Sequence, residues 1–388
     1  MKIVAVPLVM IGTVLFVTLT ALPASAAVIT PGTPIPLGSG SNSQPVGIAF
    51  NPAGTRAYVA LTSDNVVDEV DPSTGTIVAT IPVGSGPLSI AILPDDTKAY
   101  VSSYNDGAVT IIDLANNSTT TIFLPNPGFP ANGFFVALTP DASEFWVVDG
   151  TRGIDAYRVS DNTLIATIPV AAGPVAVAFN PSGTKAYVAD YASADATIID
   201  VASHSVTGTF AVPGVPYGVA FSPDGAKAYV SDNAGTITPV DVATDTPGPA
   251  IQTTGSALES VTFSPDGTRA YVPGDGAMQV VDVSTNSLLT PIPVGAGARL
   301  LAMTAAGTFG YVSNTADGTI TPLSFAPDPA PPAPPQTVST LAATGTSTAE
   351  ITTMLSLVLG LLGAGVVAVI AASRHSRLRW AAPRRRSP

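Results

Sequence analysis

The residues that could carry out chemistry in this sequence are almost all carboxylates. None of the 388 residues is a cysteine, and His204 is the only histidine outside the basic C-terminal tail. The lack of cysteine excludes disulfides, thiolate metal sites and cysteine nucleophiles, and one histidine in the stretch "ASHS" argues against blue-copper, haem and histidine–zinc sites. We interpret His204 as a solvated turn residue. With no G-x-S-x-G motif and no phosphate-binding glycine loop, catalysis would have to use carboxylates alone.

Aspartates and aromatic residues recur in short, variable segments between apolar runs. The aspartates are Asp64, Asp106, Asp149, Asp190, Asp195, Asp232, Asp275 and Asp317, accompanied by Tyr104, Phe129, Tyr191, Tyr217, Arg152 and Arg299. If these segments share one face, that face would be negatively charged and could bind a protein or carbohydrate ligand. A divalent cation such as Ca²⁺ could bridge to it, although no D-x-D-x-D-G spacing is present and no cofactor is expected. Each aspartate could instead only accept hydrogen bonds from its own turn.

The segments are positioned by a repeat. A phrase such as "GTKAYV" occurs seven times, with intervals of 42, 46, 41, 42, 42 and 40 residues between its aromatic positions, which are Tyr58, Tyr100, Trp146, Tyr187, Tyr229, Tyr271 and Tyr311. A period of 40–45 residues with strand-like content is typical of a β-propeller blade. Each unit contains four apolar runs, which we name strands A to D. The sequence therefore predicts an all-β fold, a seven-bladed β-propeller of four-stranded antiparallel blades over residues 27–325.

The turns and edges of the blades can also be predicted. "NPSG" and "SPDG" have proline and glycine where a type I turn between strands A and B needs them. Aspartates ending the third run should cap the turn between strands C and D; they are Asp71, Asp113, Asp200, Asp241 and Asp282. Phrases such as "TIPVG" place proline in strand D, which must then be the outer edge, leaving strand A at the central channel. The B–C and D–A loops share the opposite face from these turns.

The ring should be closed by its N-terminal segment. The last unit has strands A, B and C but runs into a Pro-rich segment without a strand D. The missing phrase occurs at the start, as "TPIPLG" at residues 33–38. We predict that this N-terminal strand completes the last blade.

The units resemble the YVTN β-propeller repeat, with "P-x-G-x-x-AYV", "ID" and "TIPVG" at matching places across residues 27–325. The asparagine that follows the YV phrase in that family is often replaced, by Asp149, Asp190 and Asp232 among others. Relatives occur in surface-layer proteins, and similar propellers occur in some lactonases and redox enzymes, so the resemblance implies the fold more strongly than an activity.

The N-terminus is typical of a secretion signal. Lys2 is followed by an apolar run and by Ala24-Ser25-Ala26, the small-x-small pattern that a signal peptidase accepts. We predict a signal peptide over residues 1–26, cleaved between Ala26 and Ala27, with an uncleaved anchor as the alternative.

The C-terminus combines three parts. A Pro-rich linker at residues 326–340 precedes the pentapeptide "LAATG", an uncharged apolar run at residues 351–372 and a basic tail at residues 373–388. The apolar run is long enough to cross a bilayer. The arginines of the tail would keep that end of the chain in the cytoplasm. This order resembles the cell-wall sorting signal of Gram-positive bacteria, in the LAxTG form of class E sortase substrates in actinobacteria. The resemblance implies cleavage between Thr344 and Gly345 and attachment to peptidoglycan; the motif residues are Leu341, Ala342, Ala343, Thr344 and Gly345.

Together these features favour an exported, wall-anchored protein, or one retained in the membrane by residues 351–372. Residues 27–344 carry eight basic and 26 acidic side chains, a balance that argues against nucleic-acid partners. We expect a binding, adhesion or structural surface module rather than an enzyme. The alternative is an exported lactonase-like or other hydrolase with a carboxylate-only site at the channel mouth.

Overall fold

Residues 28–125 and 135–326 are described by the computed structural model, and all of their regular structure is β-strand. They belong to one compact unit. The predicted signal peptide and its cleavage site at Ala26, the candidate Phe129, and the linker beyond Ala326 with the sorting motif, apolar run and tail lie outside the described residues. Within the described ranges there is no helix long and apolar enough to cross a membrane.

The strands fall into seven blades. Two N-terminal strands come first, β1 (Ile29–Pro31) and β2 (Ile35–Pro36). Blade 1 contains β3 (Pro45–Phe50), β4 (Ala57–Leu61), β5 (Val66–Asp71) and β6 (Thr76–Pro82). Blade 2 contains β7 (Pro87–Ile92), β8 (Lys98–Ser103), β9 (Ala108–Asp113) and β10 (Ser118–Phe123). Blade 3 contains β11 (Val136–Leu138), β12 (Glu144–Asp149), β13 (Gly153–Arg158) and β14 (Leu164–Ile168).

The second half of the chain repeats this order. Blade 4 contains β15 (Pro174–Phe179), β16 (Lys185–Asp190), β17 (Asp195–Asp200) and β18 (Ser205–Ala211). Blade 5 contains β19 (Pro216–Phe221), β20 (Lys227–Asp232), β21 (Thr236–Asp241) and a fourth strand in two pieces, β22 (Thr246–Pro247) and β23 (Ile251–Gln252). Blade 6 contains β24 (Thr262–Phe263), β25 (Arg269–Gly274), β26 (Ala277–Asp282), β27 (Ser287–Leu288) and β28 (Ile292–Pro293). Blade 7 contains β29 (Ala298–Met303), β30 (Phe309–Asn314) and β31 (Thr319–Phe325).

Each blade is an antiparallel sheet in the order A-B-C-D, which confirms the predicted seven-bladed propeller. The A strands of neighbouring blades lie side by side around the centre of the ring, and strand D is outermost. Strand D tolerates proline because its outer edge has no strand to bond to. It is also the least buried strand, and Phe123 at the end of β10 is 68% exposed.

The predicted closure of the ring is confirmed. β1 pairs with Leu323–Phe325 of β31, and β2 pairs with Thr319 and Ile320 of the same strand. The N-terminal chain thus supplies strand D of blade 7. It begins earlier than the predicted residues 33–38, at Ile29. Leu37 follows β2 and is buried in the cluster between blades 7 and 1.

The core consists of seven apolar clusters, each lying between two adjacent blades. The repeated phrase forms strand B, whose side chains are almost fully buried, and in four blades its aromatic ring packs on a phenylalanine at the end of strand A in the next blade. At the closing seam, Phe50 of blade 1 stacks on Tyr311 of blade 7 with ring centroids 5.5 Å apart. A ring of such seams needs no disulfide to hold it.

The turns follow the predicted chemistry. In the first A–B turn, Asn51 Oδ1 accepts hydrogen bonds from the amides of Thr55 and Arg56, and Gly54 has a φ of 67°. In the C–D turns, the side chain of each predicted aspartate accepts a bond from an amide two or three residues later, at 2.9–3.0 Å. We call the end of the ring that carries the A–B and C–D turns the turn face.

Candidate functional site

The B–C and D–A loops form the other end of the ring, which we call the loop face. Their backbones bond to each other: the amides of Tyr104, Tyr191 and Thr315, at one repeat position, donate to the carbonyls of Gly86, Gly173 and Gly297. This confirms the prediction that the two loop types share a face. The centre of the loop face is the mouth of the channel.

A bulge at the start of strand A changes the direction of the side chains at the mouth. In five blades the register with strand B shifts within the first four residues of strand A. Bulges leave a residue unpaired and re-aim its side chain. The second residue of the strand differs between these blades, being Val46, Leu88, Val175, Tyr217 and Arg299. Glu259 has the same repeat position in blade 6. At this position, blades 5 to 7 therefore contribute polar side chains to the mouth, namely Tyr217, Glu259 and Arg299.

Two of the predicted tyrosines meet at the mouth, and a third lies at an equivalent loop position. Tyr191 of blade 4 meets Tyr217 of blade 5 edge to face, with ring centroids 5.6 Å apart and an interplanar angle of 89°. Tyr104 occupies the position of Tyr191 in blade 2, and all three rings are partly exposed. Burial raises the pKa of Tyr217, the Glu259 carboxylate raises it further, and the Arg299 guanidinium opposes this, with smaller effects from Tyr191 and Tyr104. These groups therefore share one electrostatic environment.

An ion pair between Glu259 and Arg299 lies beside the tyrosines. Arg299 Nη1 lies 3.1 Å from Glu259 Oε2, with the two side chains 41% and 18% exposed. Burial raises the pKa of Glu259, and the Arg299 guanidinium partly offsets that rise. Ser260 donates from its hydroxyl to the Arg299 carbonyl, at 2.7 Å, and joins blades 6 and 7 at this level. Glu259 was not among the sequence candidates, although the repeat alignment places it level with Tyr217 and Arg299.

The eight aspartates predicted for the binding face differ in their exposure. Asp106, Asp275 and Asp317 are exposed and Asp64 and Asp195 partly so, but the other three end strand B and are at most 2% exposed. These buried residues are Asp149, Asp190 and Asp232. They lie beneath the D–A loops because they continue the buried strand rather than starting the loop.

All eight aspartates accept hydrogen bonds within the loop face, but only four of them accept from their own B–C segment, as the alternative interpretation predicted for each. Asp64, Asp106, Asp275 and Asp317 bind amides of the D–A loops, at Ser39, Ser85, Gly297 and Ala296. Asp149, Asp190 and Asp232 bind amides of their own B–C turns or of strand C, and Asp195 accepts from the Ser193 hydroxyl. The first four carboxylates therefore fasten B–C loops to D–A loops, whereas the other four stabilise their own segments.

Strand C supplies buried carboxylates that the sequence interpretation missed. Asp68 and Asp155, both at the third position of strand C, are at most 1% exposed. Their oxygens accept bonds from Thr80 (2.7 Å) and Thr167 (2.6 Å), and burial raises both pKa values. Arg152, predicted for the binding face, pairs with Asp155 and Thr167 across strands C and D of blade 3. The described contacts thus hold its guanidinium on its own blade, apart from the Glu259–Arg299 pair.

His204 lies in a C–D turn, as predicted, but its side chain is not solvated. Its Nε2 is 2.9 Å from Glu144 Oε2, and the two side chains are 17% and 18% exposed. The same carboxylate oxygen accepts a 2.8 Å bond from Trp146 Nε1, and the rings of Trp146 and His204 are 5.8 Å apart. The histidine joins blades 3 and 4 at the turn face, far from the tyrosines.

Within residues 28–125 and 135–326, no three His, Asp or Glu side chains are grouped closely enough to hold a metal ion. A cavity of about 570 Å³ opens between blades 7 and 1 on the turn face. Its lining, which includes Pro52, Pro72 and Phe309, contains no charged side chain. This cavity is concave but contains no side chain that could act as an acid, a base or a nucleophile of high reactivity. The mouth of the channel is therefore the better candidate site.

Comparison with known proteins identifies the fold only. The chain is similar to the solved structure of Kuenenia stuttgartiensis hydrazine synthase, with a TM-score of 0.65 and 17% identity over 73% of this chain and 96% of that one. No family model and no curated protein matches. At this identity the likeness shows a shared propeller architecture.

Proposed function

We propose that this protein is an exported binding module that captures a partner at the channel mouth on its loop face. The observation that carries the proposal is the Tyr191–Tyr217 ring pair near the Glu259–Arg299 ion pair, with Tyr104 at the equivalent loop position of blade 2, so that residues from five blades contribute. Partly exposed aromatic rings with a polar handle are typical of binding hot spots. The buried strands on either side of the loops position these side chains.

The chemistry of the mouth favours binding over the alternative, a carboxylate-only hydrolase. Such an enzyme needs an acid and a base converging on one substrate. At the mouth, Glu259 is held by Arg299, while the loop aspartates accept bonds from backbone amides or hydroxyls. Carboxylates engaged in this way support structure and charge rather than proton transfer.

The course of the chain supports surface display. Strand β31 begins at a B–C loop and ends at Phe325, whose amide bonds to Thr308 in an A–B turn. The described chain therefore leaves the ring on the turn face. An anchor attached beyond Ala326 would leave the loop face free for a partner.

We further propose membership of the YVTN repeat family and attachment to peptidoglycan through Thr344. Both rest on sequence resemblance, the second on the LAATG motif, apolar run and basic tail in order. Mass spectrometry of muramidase-released protein from the native host should find Thr344 joined to a cell-wall fragment. Recovery of residues 351–372 in the mature protein would favour a membrane anchor instead.

The binding proposal can be tested with three proteins in non-ionic detergent: the native chain, a variant with Tyr104, Tyr191 and Tyr217 changed to Ala, and F123A. Each is immobilised and incubated with envelope extract of the native host. We expect the triple variant to lose at least about tenfold of the capture, since hot-spot truncations each cost upwards of ~1 kcal/mol. F123A removes an exposed aromatic from an outer strand and should capture normally. Equal capture by the triple variant and the native chain would refute the site.

A further inference from the structure

We propose that the group recognised at the mouth is a cation: a lysine or arginine side chain presented by a basic protein or peptide. This inference rests on the proposed function, because it uses the same site. The site combines aromatic rings, a desolvated carboxylate and a negatively charged surround, and each of these three features favours a cation.

The rings provide the first part. Tyr191 and Tyr217 form an edge-to-face pair, and Tyr104, at the position of Tyr191 in blade 2, is a third partly exposed ring on this face. Aromatic faces attract ammonium and guanidinium groups through the ring quadrupole, most strongly where water is partly excluded. Three partly exposed rings from different blades around one opening give a cationic side chain several faces to contact.

Glu259 provides the second part. Its side chain is mostly buried, and it already binds a guanidinium, that of Arg299, through one oxygen at 3.1 Å. Arg299 itself is 41% exposed, so water can hydrate its guanidinium when it leaves Glu259. A ligand cation can then take its place between Glu259 and the tyrosines. Arg299 in this arrangement competes with the ligand for the carboxylate.

The field of the protein provides the third part. The described residues include eight basic and 25 acidic side chains, and Asp106, Asp275 and Asp317 are exposed on the loop face itself. Such a surface raises the local concentration of cations and opposes anions. An anionic partner would be attracted by Arg299 but repelled by the negative field of the protein. A cationic partner would be attracted by both that field and the tyrosine rings.

The inference is tested by fluorescence anisotropy of labelled peptides with the full chain in non-ionic detergent at low salt. The probes are tetralysine, tetralysine with acetylated side chains, and tetraglutamate. We expect only tetralysine to bind, and binding to weaken steeply with added NaCl, because exposed charges are screened. Y191A/Y217A should weaken it at least about tenfold, in the range of two cation–π contacts, and F123A should leave it unchanged.

The decisive variant is R299Q, because its effect has opposite signs for opposite ligand charges. It removes the competing cation and should tighten tetralysine binding about tenfold if one partly screened charge is relieved. Weaker tetralysine binding by R299Q, equal binding by Y191A/Y217A, or no tetralysine binding by the native chain would each overturn the inference. If envelope capture still depends on the three tyrosines in that case, the proposed function stands and only the ligand class is wrong. If envelope capture is also independent of the three tyrosines, both the proposed function and the cation inference are wrong.

Discussion

Asp190 is a buried carboxylate that should make the stability of the propeller depend on pH. It ends strand B of blade 4 with no solvent exposure. One oxygen accepts bonds from the amide and hydroxyl of Thr197, at 3.0 and 2.6 Å, and the other has no partner among the described residues. Burial raises the pKa of Asp190 to about 7, Thr197 opposes the rise, and the nearby Asp195 carboxylate adds to it.

Blade 7 shows what suits this position. There Asn314 donates to Thr319 and Thr321, at 2.9 and 2.8 Å, and its oxygen accepts from the Gly295 amide at 3.1 Å. The residues equivalent to Thr319 and Thr321 in blade 4 are Asp195 and Thr197. An asparagine at position 190 could therefore donate to both, without a charge to bury.

The sign and size of the effect follow from the two pKa values. The folded protein holds the Asp190 proton more tightly than the unfolded chain, whose carboxyl pKa is near 3.8. Stability contributed by this group is present below about pH 4 and is lost as the pH rises towards 7. A shift of about 3 units at ~1.4 kcal/mol each corresponds to an upper limit of roughly 4 kcal/mol by pH 8.

The test is the variant D190N, unfolded by guanidinium chloride at several values between pH 4 and pH 8. We expect its advantage over the native protein to grow with pH, to about 2–4 kcal/mol at pH 8. D232N is the matched control, because both oxygens of Asp232 already accept bonds from Thr236. It should show no such gain. An advantage of D190N that is the same at pH 4 and pH 8 would refute the reasoning.

Four other perturbations test the fold. Deleting residues 27–38 removes β1, β2 and the buried Leu37 and should lower the Tm in calorimetry by about 10 °C or more; an unchanged melting curve would contradict the closure. Tyr187 donates from its hydroxyl to Asp245 of the next blade, so Y187F should cost about 1–2 kcal/mol in denaturant titrations. Y100F, whose hydroxyl has no partner in the described chain, should cost nothing or stabilise. H204A breaks the Glu144 contact between blades 3 and 4 and should cost about 1–3 kcal/mol, with no change in envelope capture.

The repeat made most of the fold predictable. Blade number, strand order, proline-bearing edges and turn chemistry depend on local patterns that recur seven times, so an error in one unit is corrected by the others. The N-terminal closing strand was predictable because the last unit lacked one phrase that the first residues contain. Its earlier start at Ile29 was not, because pairing to the end of β31 is a long-range contact with no turn to mark it.

The site was less predictable, because burial at the loop face changes within two residues. Asp190 and Asp195 are the same residue type in one short segment, yet the first is in strand B and the second begins strand C. Asp190 directly follows the buried "YVA" phrase whereas Asp195 does not, and this difference in position is visible in the sequence. Glu259 could also have been found, since alignment of the A strands places it level with Tyr217 and Arg299.

The C–D turns show why the contacts between blades could not be predicted from the sequence. Their left-handed position has Asn117, His204, Asp245 and Asn286, all with φ between 51° and 59°, and short polar residues suit that conformation on local grounds alone. The same four side chains contact the preceding blade, at Glu69, Glu144, Tyr187 and Tyr229. One residue choice thus satisfies a local backbone requirement and a long-range contact, and only the first is visible in a single repeat. The turn face is therefore occupied by contacts that hold the blades together, whereas the loop face, where the repeats diverge, retains partly exposed aromatic side chains for a partner.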